Sequence, residues 1–320
     1  MTALPTTRKG PDSPEGMSRT WSPERPVDVY GTVATLRRGG GDPTWRQDGH
    51  GWWKGWQTPV GAATTLLTVD QAAGQVRLRA WGPGADVLLE RSPNLLGERD
   101  DPTGFVAHHP FVASAVIRHH GWRVPRTGLL VESLVPAIIE QRVTGREAFT
   151  SYRRLVRRHG EPAPGPGADL GLMVAPSAEG WSRIPSWEWL SAGVDAGRAD
   201  TVQRALPLAE RLDRRPATLR DARAVGSALA GVRGVGVWTV AEVAQRVLGD
   251  ADAVSFGDYH VARNVGWALL GAVIDDDQLA ELLRPYAGHR YRVQRLVELT
   301  RVRVPRHGPR RSLPTHLPAR

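Results

Sequence analysis

Residues 229–241 read LAGVRGVGVWTVA: a helical pattern ending at Leu229, a glycine-rich turn, and a second helical pattern starting near Val237 or Trp238. Gly234 and Gly236 can take backbone angles closed to other residues, and they let main-chain amides approach an anion without a Cβ in the way. Those amides open the next helix, where unpaired N–H groups and the macrodipole favour a phosphate. A helix–GxG–helix unit can therefore grip a nucleic-acid backbone without reading bases. On spacing alone, a plain helical hairpin closed by a C-capping glycine fits equally well. Further on, FGDYHVARN places Asp258 just before a helical run that starts at Tyr259. Read by itself, that aspartate is first an N-cap.

Composition narrows the chemistry. The 320 residues carry 42 Lys+Arg against 33 Asp+Glu, a formal charge of +9, which favours polyanionic partners, nucleic acid first. There is no cysteine. Disulfides, thiolate zinc sites, iron–sulfur clusters and cysteine nucleophiles are thereby excluded. Only Lys9 and Lys54 are lysines, so no lysine amine follows residue 54. The pairs His108–His109 and His119–His120 lack a metal-ligand spacing and read as surface or loop histidines. Asp275–Asp276–Asp277 reads as an acidic helix start.

The elements that must position these residues change character along the chain. Residues 1–22, rich in Pro, Ser, Thr and Gly, read as a disordered lead. Residues 23–104 read as a small β-rich (α+β) domain, with strands expected over Val27–Leu36, Thr64–Val69, Gln75–Trp81 and Val87–Glu90. In Gln75–Trp81 the alternation of Val76, Leu78 and Ala80 with Arg77, Arg79 and Trp81 predicts a half-buried strand. The cluster Trp52, Trp53, Trp56 with Lys54 fits either a sheet surface or an interaction patch. From 105 to 304 the period is helical, with runs at 133–156, 201–212, 219–229, 239–248, 259–270, 277–283 and 290–302. Residues 305–320, basic and without an acid, read as a flexible tail. The fold class is mainly α: an all-α core carrying a small β-rich N-terminal domain. The longest apolar run, Ala268–Ile274, is too short to span a bilayer, and the N-terminus lacks a secretory pattern. A cytoplasmic protein with no membrane association is expected.

The hairpin LAGVRGVGVWTVA resembles the helix–hairpin–helix motif of the base-excision DNA glycosylase superfamily, roughly L-x-G-[IV]-G-x-x-T-A. That superfamily carries an essential aspartate beyond the hairpin's second helix, where this sequence has Asp258, 22 residues after Gly236. Residues 134–148, LVPAIIEQRVTGREA, are similar to the helix opening the core of the 3-methyladenine DNA glycosylase II family. RPYAGHRYRV, residues 284–293, resembles its closing segment, and PNLLGERDD resembles the junction after its N-terminal domain. The resemblance covers about residues 90–300.

The resemblance implies a helix–hairpin–helix glycosylase core that flips an alkylated purine out of duplex DNA and hydrolyses its N-glycosidic bond, in base excision repair. Asp258 would stabilise the oxocarbenium-like sugar and orient or deprotonate the attacking water. Trp238 and Tyr286 would form the base pocket, where an aromatic face suits a cationic purine; ordinary core burial is the competing reading for both. Glu242 stands at a pocket position where relatives often have an aromatic. Trp238 also occupies the column where bifunctional relatives place a Schiff-base lysine, which implies hydrolysis without Lys-dependent strand cleavage. Gly234, Gly236, Thr239, Gln141 and Arg142 would meet DNA, with Arg142 in the wedge column and Arg146, Arg153, Arg154, Arg157 and Arg158 extending a basic face. Backbone carbonyls of Ala230, Val232 and Val235 match positions that can hold a monovalent cation; no cofactor and no side-chain metal site is implied. The expected partner is double-stranded DNA containing damaged bases, and the expected state a monomer. Arg142 and Glu242 keep two alternatives open: a non-catalytic protein that binds damaged DNA, and a glycosylase for another purine lesion.

Overall fold

The computed structural model describes residues 16–305 apart from 216, 218 and 220. Most of the expected lead and the basic tail lie outside the described residues. The end of that lead is not a lead: Met17–Trp21 forms strand β1, paired antiparallel with Gln75–Trp81. The first unit continues with helix α1 (Val29–Val33), strands β2 (Trp45–Asp48), β3 (Gly51–Thr58), β4 (Gly61–Asp70) and β5 (Gln75–Trp81), and helix α2 (Ala85–Leu95). The sheet is antiparallel in the order β1-β5-β4-β3-β2.

Two segments expected as strands are helical. Asp28 caps α1 by accepting the Gly31 amide at 2.8 Å, so Val29 and Val33 fall on one buried face. Val87–Glu90 lies inside α2, where Leu88, Leu89, Ser92 and Leu95 are buried at helical spacing against the sheet. On β5 the alternation holds: Val76, Leu78 and Ala80 are buried beneath α2. Trp81, on the other face, is buried too, because Ala163, Leu172 and Val174 cover that end of the sheet. The tryptophan cluster divides between the faces, Trp56 with the α2 side and Trp53 with the Trp81 side. Lys54 is buried, its Nζ 4.3 Å from the Trp56 ring centroid and 3.4 Å from Glu132.

The helical unit comprises α3 (Pro110–Arg118), α4 (Leu130–Ile139) and α5 (Gly145–His159), then a small insert. That insert pairs β6 (Glu161–Pro162) with β7 (Met173–Val174) around α6 (Pro166–Asp169). Helices α7 (Ala178–Ser182), α8 (Ser186–Ala192), α9 (Ala196–Asp213), α10 (Ala222–Ala230) and α11 (Val237–Val243) follow, α11 running into a π-helical turn over Ala244–Leu248. Helices α12 (Val261–Leu270), α13 (Asp276–Leu283) and α14 (Arg290–Leu299) close the chain. Helix α4 is buried over nearly its whole length and is the axis of the larger core, packed by α5, α9 and α11. Helices α3, α12, α13 and α14 form a second apolar cluster. No helix among the described residues is long and apolar enough to cross a membrane.

The start of α4 lacks a local cap and borrows one: Asp213, at the end of α9, accepts the Leu130 and Val131 amides at 2.6 and 3.0 Å. Burial pushes the Asp213 carboxyl up to about 7, against the pull of those two amides and of Arg91. A folded-state value raised above the unfolded one gives stability that is complete below about pH 4 and lost as pH rises through about 7. Relative to Asp213→Asn, the wild type should therefore lose up to about 4 kcal/mol between those limits. Urea unfolding of both proteins across that range measures it; a constant difference would refute it.

Candidate active site

The hairpin runs from α10 through residues 231–236 into α11. Gly234 has φ +98°, and a Cβ there would collide with the Thr201 hydroxyl on α9. Gly236, at the start of α11, has φ −99° and open space where a Cβ would stand. The two glycines thus serve different ends. Gly234 is required by the turn and its seat on α9, whereas Gly236 keeps the outer approach to the first α11 amides bare. Gly234→Ala should cost roughly 2 kcal/mol in stability. With Gly236 in the DNA-facing place that the sequence resemblance implies, Gly236→Ala should leave stability unchanged and weaken duplex binding about tenfold; thermal melts beside binding isotherms separate the two effects.

The turn is braced from behind. Gln141, following α4, donates through Nε2 to Gly234 O at 3.0 Å and to the Thr239 hydroxyl at 2.8 Å. Arg204 on α9 donates to Arg233 O at 3.1 Å. Thr239, expected against DNA, is 1% exposed, so its side chain belongs to this brace, as does the Gln141 amide. Arg142 beside it is exposed and holds φ +58°, a left-handed conformation that non-glycine residues seldom adopt. Arg198 donates to Ile139 O at 2.6 Å and so ties down the end of α4 just before that turn. Within the hairpin, Val232 O accepts the Val235 amide at 2.9 Å, and any monovalent cation at Ala230, Val232 and Val235 would be held by main-chain oxygens alone. Among the described residues no three His, Asp or Glu side chains gather to hold a metal ion. The α5 arginines are partly engaged: Arg158 pairs with Glu188 at 2.6 Å, and Arg153 donates to Thr150.

Asp258 meets the hairpin helix directly. Trp238 donates its indole N–H to Asp258 Oδ2 at 3.2 Å. The other oxygen, Oδ1, accepts the amides of His260 and Val261 at 2.7 and 3.2 Å, at the start of α12. The candidate carboxylate therefore also satisfies the first amides at the start of α12, with each oxygen assigned. Three N–H donors fix the carboxylate in direction. Val237 and Tyr259, flanking the pair, are 74% and 72% exposed, so this side of the molecule is open.

Glu242, expected to line the base pocket, turns inward instead. Its Oε2 takes Arg246 at 2.7 Å and its Oε1 the Ser255 hydroxyl at 2.7 Å. Burial alone would raise its carboxyl; Arg246, Ser255 and Arg38 outweigh burial and hold it below its ordinary value. Glu140, paired with Arg38 at 2.8 Å, moves the opposite way: burial raises it, and Glu242 and Asp258 repel its charge. Tyr286 is 2% exposed and packs in a different apolar cluster from Trp238, its hydroxyl 2.7 Å from His109 Nδ1 and its ring stacked on His109. Sequence reasoning missed Ser255, Gln245, Gln294 and Arg204. Their partners lie up to 39 residues away, beyond the reach of any local pattern.

No protein-family model matches the chain, and no curated relative matches it. Solved structures do. A 3-methyladenine DNA glycosylase from Archaeoglobus fulgidus superposes with TM-score 0.70 at 15% identity, over 88% of this chain and 98% of that one. The fold is that of the helix–hairpin–helix DNA glycosylases. The apo 8-oxoguanine glycosylase/lyase of Clostridium acetobutylicum gives TM-score 0.65 at 10% identity, over 93% and 99%. The same enzyme bound to double-stranded DNA gives 0.62 at 10%, over 94% and 99%. At such identities the agreement is one of architecture, and chemistry must come from this chain's own residues. One such residue is Lys54: buried, paired with Glu132 and set between the Trp45 and Trp56 rings, it offers no free amine.

Proposed function

We propose that this chain is a monofunctional DNA glycosylase that flips an alkylated purine, of the 3-methyladenine kind, out of duplex DNA and hydrolyses its N-glycosidic bond. The observation that carries the reading is the Trp238–Asp258 contact: a carboxylate, aimed by an indole and two backbone amides, beside a hairpin whose helix start can seat a phosphate. As the bond to the base lengthens, positive charge grows on the sugar, and Asp258 stabilises it and orients water. Trp238 presents an indole where a lysine would be needed for a Schiff base, so the abasic site is left uncut. The partly exposed Trp238 face suits a cationic purine by stacking and cation–π attraction. Gln141 and Thr239 hold the turn, Gly236 admits the phosphate, and Arg142, projected by its left-handed backbone, enters the vacated stack. The protein acts as a monomer on damaged double-stranded DNA in the cytoplasm.

A second reading, an oxidised purine as substrate, draws on the likeness to the 8-oxoguanine glycosylase/lyase fold. Duplexes each carrying one defined lesion decide between them, scored for abasic sites with and without alkali. Release of the alkylated bases, with breaks appearing only after alkali, is expected. Release of 8-oxoguanine alone would select the second reading, and strand breaks without alkali would overturn the hydrolytic mechanism.

A further inference from the structure

Asp258 ends a turn, Ser255–Asp258, closed by the Asp258 amide donating to Ser255 O at 3.2 Å. The turn has few apolar anchors near the carboxylate: Gly257 is exposed, with φ +85° and open space on its Cβ side. Val254 and Phe256 pack its root on the apolar cluster of α3 and α12–α14, and its polar attachment to the core is Ser255, which is 1% exposed. The Ser255 amide donates to Gln294 Oε1 at 3.1 Å, and its hydroxyl donates to Glu242 Oε1 at 2.7 Å. That hydroxyl in turn accepts Gln245 Nε2 at 2.8 Å and Gln294 Nε2 at 3.3 Å. A serine hydroxyl has one proton, so giving it to Glu242 obliges it to accept from both glutamines. The ionised, Arg246-paired Glu242 thus sets the polarity of the whole network. At the outer end of the turn, Asp276 Oδ2 on α13 accepts the Gly257 amide at 2.8 Å.

We infer that Ser255, with Glu242 and Gln294 beneath it and Asp276 at the outer end, forms the device that positions Asp258. Glu242 and Trp238 are one helical turn apart on the same helix. Helix α11 therefore holds the root of the turn through Glu242 and its tip through Trp238, so the carboxylate keeps its place relative to the hairpin that seats the DNA. The catalytic consequence rests on the proposed function; the positioning does not. Charge stabilisation of a glycosyl cation is steep in distance, and a misplacement of about 1 Å can cost about 100-fold in rate.

The test uses the full chain with Ser255→Ala, Asp276→Ala and Asp276→Asn. Three readouts are combined: single-turnover base release, affinity for intact duplex, and hydrogen exchange of the His260 and Val261 amides that Asp258 holds. Ser255→Ala should lower the single-turnover rate roughly 10- to 100-fold, keep duplex affinity within about twofold, and speed exchange at both amides. Asp276→Ala should do the same to a smaller degree, and Asp276→Asn, which keeps an acceptor oxygen, should restore both. Should Ser255→Ala fail to fold, the Asp276 pair, at a partly exposed site, carries the test. Unchanged exchange and an unchanged rate in folded variants overturn the inference. If the wild type releases no base from any duplex, the proposed function fails, and exchange at His260 and Val261 still decides whether Ser255 and Asp276 position Asp258.

Discussion

Asp258→Asn is expected to lower single-turnover base release roughly 10²- to 10³-fold while leaving duplex affinity and stability close to wild type. The substitution removes the negative charge and, with the amide oxygen kept toward His260 and Val261, turns an NH2 toward the Trp238 indole in place of its acceptor. Asparagine caps a helix about as well as aspartate, so the bonds from His260 and Val261 to Oδ1 persist. The hairpin, its Gln141 and Arg204 braces and Gly236 are untouched, so the proposed phosphate seat is unchanged. In the proposed mechanism, what disappears is the anion facing the developing positive charge on the sugar, an interaction present only in the transition state. The loss should fall on the chemical step with binding unchanged, which single-turnover kinetics beside binding isotherms resolves. Equal rates for wild type and Asp258→Asn would remove Asp258 from the mechanism.

The second large effect lies at the junction of the two units. Asp100, in the segment between α2 and α3, takes a bidentate Arg292 guanidinium from α14 at 3.0 and 2.5 Å, and also accepts the Val124 amide at 3.1 Å. Both side chains are buried, at 2% and 7% exposure. Arg25 donates to the Asp100 carbonyl, so the start of the chain is fastened at the same point. Asp100→Ala strands the Arg292 charge and the Val124 amide together, and should cost about 3–5 kcal/mol. Adding Arg292→Met should recover much of that loss, because the guanidinium's uncompensated desolvation goes with it. Urea midpoints of the two single variants and the double variant form the cycle. A loss under about 1 kcal/mol for Asp100→Ala would mean that water reaches the pair.

How much could be read in advance follows from the range of each interaction. The hairpin was legible because its pattern is contiguous: two glycines, a helix on each side and Thr239 all within 229–241. Strand β5 was legible through its period of two, and the helices from α9 to α14 through a period near 3.6. Helix α1 was misread as a strand because its Val- and Thr-rich run favours extended backbone, and only the Asp28 cap bond and burial of one face decide otherwise. Asp258 reads from its neighbours alone as a helix cap and only through the family resemblance as the candidate carboxylate, because the two readings look alike in sequence.

By itself, the sequence determined the chemistry that is absent and the pattern that is local: no cysteine, no lysine after residue 54, a glycine-punctuated hairpin, and an aspartate ahead of a helix. These are properties of composition and of neighbours along the chain, and they need no folding to be true. Tertiary structure alone decided where each side chain spends its hydrogen bonds. It turned Glu242 away from the pocket and onto Arg246 and Ser255, placed Tyr286 against His109, committed Gln141 and Thr239 to bracing the turn, and brought the Trp238 indole to Asp258. A buried polar group must find a partner wherever the packing provides one, and these partners come from helices far apart in sequence.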